Sequence, residues 1–215
     1  LQSLTEEIVL KICQDISKKY NKPNLCLAGG VALNCVANGK IIESGLFKNV
    51  WIQPASGDSG CSLGAALAYW YNELQKNRLE PFEDKMEGSY LGPSFSNQEV
   101  KIKLDTIGAK YQFLENEKLY EISSKLLSEG KAIGWFQGKM EYGPRALGNR
   151  SIIADPRSDK MQKNLNLKIK FRESFRPFAP SVLEDKAKDY FKTKQISPYM
   201  LITSKIVDSL KLHIQ

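Results

Sequence analysis

Apolar residues recur every four positions at the start of the chain, at Leu4, Ile8, Ile12 and Ile16. This spacing places them on one face of an α-helix, so it predicts a helix over residues 4–20. Residues 24–28 form a short, mainly apolar run, which indicates a buried strand. Gly29 and Gly30 follow this run, and a glycine pair at such a point indicates a tight turn.

The same criteria predict further helices at residues 31–44, 59–75, 96–105, 119–129 and 158–167, and strands at residues 50–53, 132–136 and 199–203. We expect Gly45 to close the second helix and Ser59 to cap the third. Because helices alternate with short strands in both halves, the predicted fold class is α/β or α+β.

A polar, turn-rich stretch divides the chain. Residues 77–88 contain few apolar side chains, so we interpret them as a linker between one domain at residues 1–76 and a second at residues 89–215. The sequence begins inside a predicted helix without an initiator Met and stops soon after a predicted strand. We therefore expect it to be part of a longer protein.

Composition narrows the class of protein. The chain has 215 residues, 42% of them hydrophobic and 26% charged, which is typical of a globular protein. It has no apolar run near the ~20 residues of a membrane span and no signal-peptide pattern, so we expect no membrane partner and a cytoplasmic location.

Four cysteines, Cys13, Cys26, Cys35 and Cys61, match no metal-binding spacing. We expect them to be reduced, with Cys13, Cys26 and Cys61 in the core.

Two basic segments, residues 138–150 and 171–180, hold the most informative pattern. They place five basic residues beside glycine, proline and phenylalanine: Lys139, Arg145, Arg150, Arg172 and Arg176. Arginine presents a planar fork that suits phosphate or carboxylate, so the pattern indicates a pocket for a small phosphate-bearing anion. For each arginine alone, a surface ion pair is the structural alternative.

The first half offers two weaker signals. The backbone N–H groups of Gly29 and Gly30 lie at a predicted helix start, where phosphate groups commonly bind. Asn34, one turn further on, is a polar side chain that could contact such a ligand. The alternative is a tight turn that binds no ligand. Asp58 lies in a Gly-Asp-Ser-Gly sequence, where it would ligate a metal, contact a ribose hydroxyl or cap the next helix. The net charge is +7 and the only histidine, His213, is interpreted as incidental.

Four strings carry a family resemblance: LAGGVALNC at 27–35, PASGDSGCSLGAA at 54–66, GPRALGNRSI at 143–152 and FRPFAPS at 175–181. In sequence, order and spacing they resemble the O-carbamoyltransferases of the nodulation-protein and antibiotic-tailoring type. The resemblance covers essentially the whole chain. It implies the end of an actin/hexokinase-like ATPase domain, followed by a smaller domain similar to the threonylcarbamoyl-adenylate synthase fold.

The resemblance also implies an activity. Such enzymes make carbamoyl-adenylate from carbamoyl phosphate and ATP and pass the carbamoyl group to a hydroxyl of a sugar or natural-product acceptor. The implied roles are nucleotide binding for Gly29, Gly30 and Asn34, metal binding for Asp58, catalytic anion clamping for Arg145 and Arg176, and substrate binding for Lys139, Arg150 and Arg172. The implied metal is divalent and expected to be iron, held with two histidines of an HxxxH motif that this sequence lacks.

Other functions stay open at this point. The basic run 160–176, with Phe171 and Phe175, would suit RNA, and a tRNA threonylcarbamoyl-modifying enzyme shares part of the resemblance. GPRALGNRSI and FRPFAPS favour the O-carbamoyltransferases over the tRNA-modifying enzyme. Salt dependence would discriminate RNA binding, because contacts to a phosphate backbone weaken steeply as salt rises. Nucleic acid is the less favoured partner. A homodimer and an inactive folded fragment are two further hypotheses.

Overall fold

The computed structural model describes residues 1–78 and 84–211, and His213 lies outside the described residues. The contacts within the chain divide it into two compact units. The first contains the described residues of Leu1–Ser89, Tyr142–Arg145 and Val182–Gln215, and the second contains Tyr90–Glu141 and Ala146–Ser181. Both units mix helices with small sheets, which confirms the predicted α/β class at that level.

The division of the chain into 1–76, 77–88 and 89–215 stays a prediction about the whole protein. In the described chain, the stretch from Val182 onward groups with the first unit. The actin-like and synthase-like assignments of the two domains also stay predictions.

The first unit is built on a parallel pair of strands and three main helices: α1 at Gln2–Tyr20, β1 at Asn24–Leu27, α2 at Cys35–Ser44, β2 at Asn49–Ile52 and α3 at Asp58–Ala68. Strands β1 and β2 pair with Asn24 opposite Asn49 and Leu27 opposite Ile52. The carboxyl ends of both strands therefore meet at one edge of the sheet, where Gly29 donates from its backbone N–H to the carbonyl of Ser56 at 2.9 Å.

The core of the first unit lies between the strands, α2 and the last part of the chain. Leu25, Ile41 and Val50 are buried there. Asn38, on α2, is also buried and donates its side-chain amide to the carbonyls of Ala32 and Leu201 at 2.8 and 2.9 Å. The bond to Leu201 joins chain segments that are far apart in sequence.

Residues 199–203 were predicted to form a strand, and this prediction is wrong. Tyr199 and Leu201 are buried as an apolar strand would be. However, the segment is held through Asn38 and through the N–H of Thr203, which donates to the carbonyl of Cys35 at 3.2 Å. Its hydrogen bonds thus go to helix α2 instead of to a neighbouring strand.

The second unit contains α4 at Asn97–Thr106, α5 at Asn116–Ser128, β3 at Ile133–Phe136, β4 at Arg150–Ile153 and α6 at Met161–Lys168. Strands β3 and β4 are antiparallel, with Ile133 opposite Ile153 and Phe136 opposite Arg150. A short helix, α7 at Ala187–Tyr190, follows in the part of the chain that returns to the first unit.

Local sequence signals explain several of the boundaries. Before α4, the Ser96 hydroxyl accepts from the N–H of Glu99 at 3.2 Å while the Glu99 carboxylate accepts from the N–H of Ser96 at 2.8 Å, which is a capping box. After α2, Gly45 takes the left-handed conformation at φ 68°. The predicted helix end at Gly45 is confirmed because glycine adopts positive φ at little cost.

The starts of α2 and α3 differ from the prediction in how they are capped. The expected helix over residues 31–44 is divided into a 3-10 turn at Gly30–Leu33 and α2, because the Asn34 side chain accepts from the N–H of Ala37 at 3.1 Å and begins a new helix. Helix α3 begins at Asp58 with Gly57 as its N-cap, so Ser59 does not cap it.

The cysteine prediction is confirmed in one respect and wrong in another. All four cysteines are free and Cys13 is buried, where burial raises the pKa of its thiol. Cys26 and Cys61 are exposed, although both lie among apolar residues in the sequence, because Cys26 lies on the exposed face of β1 and no residue of α3 is buried. Among the described residues, no helix combines the length and the hydropathy needed to cross a bilayer.

Candidate functional site

Two motif loops lie side by side at the carboxyl edge of β1 and β2. The loop after β1 carries Gly29 and Gly30, and the loop after β2 leads into α3. Gly57, in the second loop, lies beside Leu33, where a Cβ added to Gly57 would make an ordinary contact of 3.5 Å with the Leu33 side chain. Ligands commonly bind in the crevice at this end of parallel strands.

The glycine pair leaves open space beside the backbone. A Cβ added at Gly29 or Gly30 would meet no atom within 4 Å, and Gly29 has a positive φ of 97°. The Gly29 N–H is already bonded to the carbonyl of Ser56, so it is not among the donors free for a phosphate.

Asn34 is occupied by structural hydrogen bonds. Its side-chain oxygen accepts from the backbone N–H of Ala37 and from the side-chain amide of Gln2, both at 3.1 Å. Its side-chain amide donates to the side-chain oxygen of Gln2 at 3.0 Å. These bonds fix the start of α2 against α1. Asn34 is therefore the N-cap of α2.

Asp58 is exposed in the first turn of α3. A carboxylate near a helix N-terminus is stabilised by the helix dipole. Within residues 1–78 and 84–211, no three His, Cys, Asp or Glu side chains are grouped so as to hold a metal ion. One exposed carboxylate does not make a metal site, so the described residues alone do not fit the predicted iron.

A third motif joins these two loops, from far along the chain. The Tyr142 hydroxyl donates to the carbonyl of Ser59 and lies 2.9 Å from the Ser62 hydroxyl, both in the first turns of α3. Gly143 follows at φ 115°, where a Cβ would lie 3.3 Å from the side chain of Ala55. Glycine is therefore required at this position by both its backbone angle and the close approach of Ala55.

Arg145 completes the cluster. Its guanidinium donates through one Nη to the carbonyl of Leu33 at 2.9 Å. Its Nε is buried and has no hydrogen-bond partner among the described residues. Unsatisfied buried donors are costly and rare in folded proteins, so an unpaired Nε beside the glycine loop indicates a missing acceptor, such as the oxygen of an anion.

The remaining predicted basic residues all belong to the second unit. Lys139 is exposed, and its backbone carbonyl accepts from the Asn149 side chain at 2.7 Å. The Arg150 guanidinium lies over the Phe136 ring, with 3.5 Å from its central carbon to the ring centre. It also donates to the carbonyls of Gln137 and Asn149 at 2.6 and 2.9 Å. Through these contacts, Arg150 stabilises the connection between β3 and β4.

Glu141 organises the loop that leads to Arg150. It is buried, and one carboxylate oxygen accepts from the backbone N–H groups of Leu147, Asn149 and Arg150 at 2.7, 2.8 and 3.2 Å. Burial acts to raise the pKa of the Glu141 carboxyl, but the N–H donors outweigh burial and the pKa lies below its ordinary value. Glu141 is thus a charged anchor for this loop.

Arg172 and Arg176 follow α6 and differ in exposure. Arg172 is half-buried, donates from Nε to the Asn166 side chain at 2.6 Å and stacks on Phe178. Arg176 is exposed and pairs with Glu173 at 2.9 Å. Glu173 accepts a hydrogen bond from its own backbone N–H and the bond from Arg176, and both hold the pKa of its carboxyl below its ordinary value.

The structure places three residues at these motifs that the sequence pattern did not single out. Glu141 and Tyr142 lie inside the basic segment 138–150, but the arginines of that segment gave the stronger signal. Asn166 was assigned only to a helix, although a polar residue between Leu165 and Leu167 is a weak signal of a buried hydrogen-bonding role. Their roles depend on partners that periodicity does not reveal.

Comparison with known proteins gives the family. Residues 1–67 match the model described as the carbamoyltransferase N-terminus, and residues 124–215 match the carbamoyltransferase C-terminus. Together these two matches cover most of the chain.

Individual relatives agree with these matches. The chain is 52% identical to an uncharacterized protein of Synechocystis over 99% of its own length and 35% of the relative. It is 40% identical to nodulation protein NolO of Bradyrhizobium diazoefficiens over 93% of its length and 36% of the relative. It is 37% identical to nodulation protein U of Rhizobium fredii over 83% and 28% of the two lengths.

The chain thus spans about a third of the length of the curated relatives it matches. The two family models match in the order N-terminus then C-terminus. Of the four strings that carried the resemblance in the sequence, those at 27–35 and 54–66 and the start of the one at 143–152 meet in the first unit, and the one at 175–181 lies in the second. This chain belongs to the carbamoyltransferase family.

Proposed function

We propose that the protein containing this chain transfers a carbamoyl group from carbamoyl phosphate to a hydroxyl of a sugar or natural-product acceptor, through an ATP-dependent carbamoyl-adenylate. The observation that carries the proposal is the cluster formed by the glycine loop, the start of α3 and Tyr142–Arg145, in a chain that matches both carbamoyltransferase models.

Formation of carbamoyl-adenylate from carbamoyl phosphate and ATP consumes one water: inorganic phosphate leaves as carbamate forms, and the carbamate oxygen then displaces pyrophosphate from ATP. The two substrates are both anions, and their repulsion opposes the reaction. A guanidinium offsets that repulsion and stabilises charge that develops on a departing phosphate oxygen. Arg145 suits this task because Leu33 fixes one end of the guanidinium while the buried Nε has no partner among the described residues. The arginine is thus held in place before an anion arrives, which lowers the entropic cost of binding.

The nucleotide would lie against the glycine loop. Open space beside Gly29 and Gly30 lets a ligand approach the backbone closely. Asn34 supports this site indirectly, since its cap fixes where the loop ends and α2 begins. No proposed step depends on a metal at Asp58, because that carboxylate stands alone among the described residues.

A titration tests the anion site directly. Carbamoyl phosphate is titrated calorimetrically into this chain and into its Arg145→Ala variant. We expect the variant to bind about tenfold more weakly or worse, because a hydrogen-bonded charge is lost. The matched control is Arg157→Ala, since Arg157 is an exposed arginine paired with Asp155.

Equal binding by wild type and Arg145→Ala would contradict the proposal. In the full-length protein, the corresponding readout is release of pyrophosphate from ATP that depends on carbamoyl phosphate. Arg145→Ala should abolish most of this release, whereas Arg157→Ala should leave it near the wild-type rate.

A further inference from the structure

The loop after α6 is folded around one buried side chain, that of Asn166, which has 0% of its surface exposed. Its backbone carbonyl accepts from the N–H of Arg172 at 3.0 Å, and its side-chain oxygen accepts from Arg172 Nε at 2.6 Å. Its amide group donates to the carbonyls of Ser174 and Arg176 at 3.1 and 2.8 Å. Both polar ends of this side chain are therefore used to hold residues 172–176 in one shape.

Arg172 is fixed on two sides by this arrangement. Asn166 holds Nε, and the Phe178 ring lies 4.9 Å from the central guanidinium carbon. No hydrogen bond is formed by the two Nη groups of Arg172 among the described residues. These outer donors form the bidentate end of the fork that recognises phosphate and carboxylate.

The other arginines of the second unit are less suited to a ligand. Arg150 is engaged by backbone carbonyls and the Phe136 ring. Arg176 is exposed and already paired with the carboxylate of Glu173. Arg172 thus combines a fixed orientation with free outer donors.

The backbone just before Arg172 is strained. Phe171 has a φ of 49°, and its side chain is 85% exposed. A bulky residue seldom adopts positive φ, and such strain persists only where surrounding contacts over-determine it, most often at functional sites. The bonds from Asn166 to Arg172 supply that constraint, so the strain is linked to the orientation of the arginine.

We propose that Asn166 is a positioning residue that aligns Arg172, for which the family resemblance implies substrate binding, to bind a phosphate group. This inference rests on the proposed function and concerns the second unit by itself, as it names the residue pair with which that unit would bind a phosphate group. Asn166 itself touches no substrate and acts through Arg172 and the shape of its loop.

A ligand-free measurement tests the positioning. The arginine Nε–H signals of the ¹⁵N-labelled chain are assigned, and solvent exchange of the Arg172 Nε–H is measured in wild type and in Asn166→Ala. We expect exchange to be about tenfold faster in the variant, because the bond to Asn166 is gone. The control is Gln162→Ala, since Gln162 donates to the carbonyls of Phe175 and Arg176 at 3.2 Å without touching Arg172.

A double-mutant cycle tests the substrate contact. Carbamoyl phosphate is titrated into wild type, Asn166→Ala, Arg172→Ala and the double variant. Each single variant should weaken binding by about tenfold, and the double variant should bind no more weakly than Arg172→Ala, because Asn166 acts through that arginine. Independent, multiplying effects of the two substitutions would overturn the proposal.

The Arg172→Lys variant is the control for misfolding. It keeps Asn166 and the positive charge at residue 172 and removes only the planar fork. It should weaken binding as much as Asn166→Ala does; binding like wild type would overturn the proposal. Binding that depends on Arg145 but not on Arg172 overturns this inference alone. Absence of any carbamoyl phosphate or inorganic phosphate binding by the wild type overturns the proposed function and the inference together.

Discussion

The two arginine loops of the second unit are held by buried side chains of opposite hydrogen-bonding character. Glu141 is an anion that only accepts, and it gathers three backbone N–H groups of residues 147–150. Asn166 is neutral and both donates and accepts, and it gathers two carbonyls and the Nε of Arg172. One anchor therefore carries a charge into the interior, and the other does not.

This difference decides what each loop does with its arginine. The loop around Glu141 ends at Arg150, whose guanidinium is consumed by carbonyls and an aromatic ring. The loop around Asn166 fixes Arg172 by one atom only and leaves its outer donors available. The two arginines therefore differ in function: we assign Arg150 to structure and Arg172 to ligand binding.

The largest expected effect comes from neutralising the charged anchor. Glu141→Gln keeps the shape of the side chain but replaces a carboxylate that accepts three N–H bonds with a weaker neutral acceptor. We expect the free energy of unfolding to fall by about 2 kcal/mol, as for hydrogen bonds to a buried charged group. Urea unfolding measures this loss.

The matched control for that substitution is Glu121→Gln. Glu121 is an exposed glutamate whose ion pair with Lys118 lies on the surface of α5, where such pairs contribute little. Equal stability losses in Glu141→Gln and Glu121→Gln would remove the distinction between a buried anchor and a surface charge.

A smaller, pH-dependent effect follows from the lowered pKa of Glu141. The fold favours the ionised carboxylate, so its stabilising contribution is complete above the ordinary value of 4.5 and is lost as pH falls through the lower folded value. The stability difference between wild type and Glu141→Gln should be constant from about pH 6 to pH 8 and shrink below about pH 4.5. Asn166 has no titrating group, so the difference between wild type and Asn166→Ala should not show this trend. A difference for Glu141→Gln that grows on acidification would contradict the anchor role.

The smallest expected effect concerns Glu173. Its carboxylate pairs with Arg176 on the surface, and surface pairs of this kind contribute little to stability. Glu173→Gln should leave the urea midpoint unchanged and tighten the binding of inorganic phosphate about twofold at low salt, because a competing negative charge is removed. Weaker phosphate binding in this variant would contradict the expectation, because it would show that Glu173 is needed to hold the loop in its binding conformation.

Local sequence patterns were sufficient for several elements of the fold. Four-residue spacing predicted α1, and the apolar run before the glycine pair predicted β1. Gly45 marked the end of α2 because only the residue at that position and its neighbours decide a helix end. The strand predicted at residues 199–203 failed because Asn38, far away in sequence, takes its hydrogen bonds.

For the candidate site, too, some features follow from the sequence alone and others depend on the tertiary structure. The sequence by itself determined which side chains offer a phosphate-binding fork and where glycines let the backbone approach a ligand, because both are properties of residue type and immediate neighbours. Only the tertiary structure decided which of those forks are free. Arg150 is consumed, Arg145 keeps an unpaired buried Nε and Arg172 is aligned by Asn166. The physical reason is that a hydrogen-bond donor is available only if no acceptor lies within about 3 Å of it, and the fold decides which acceptors come that close.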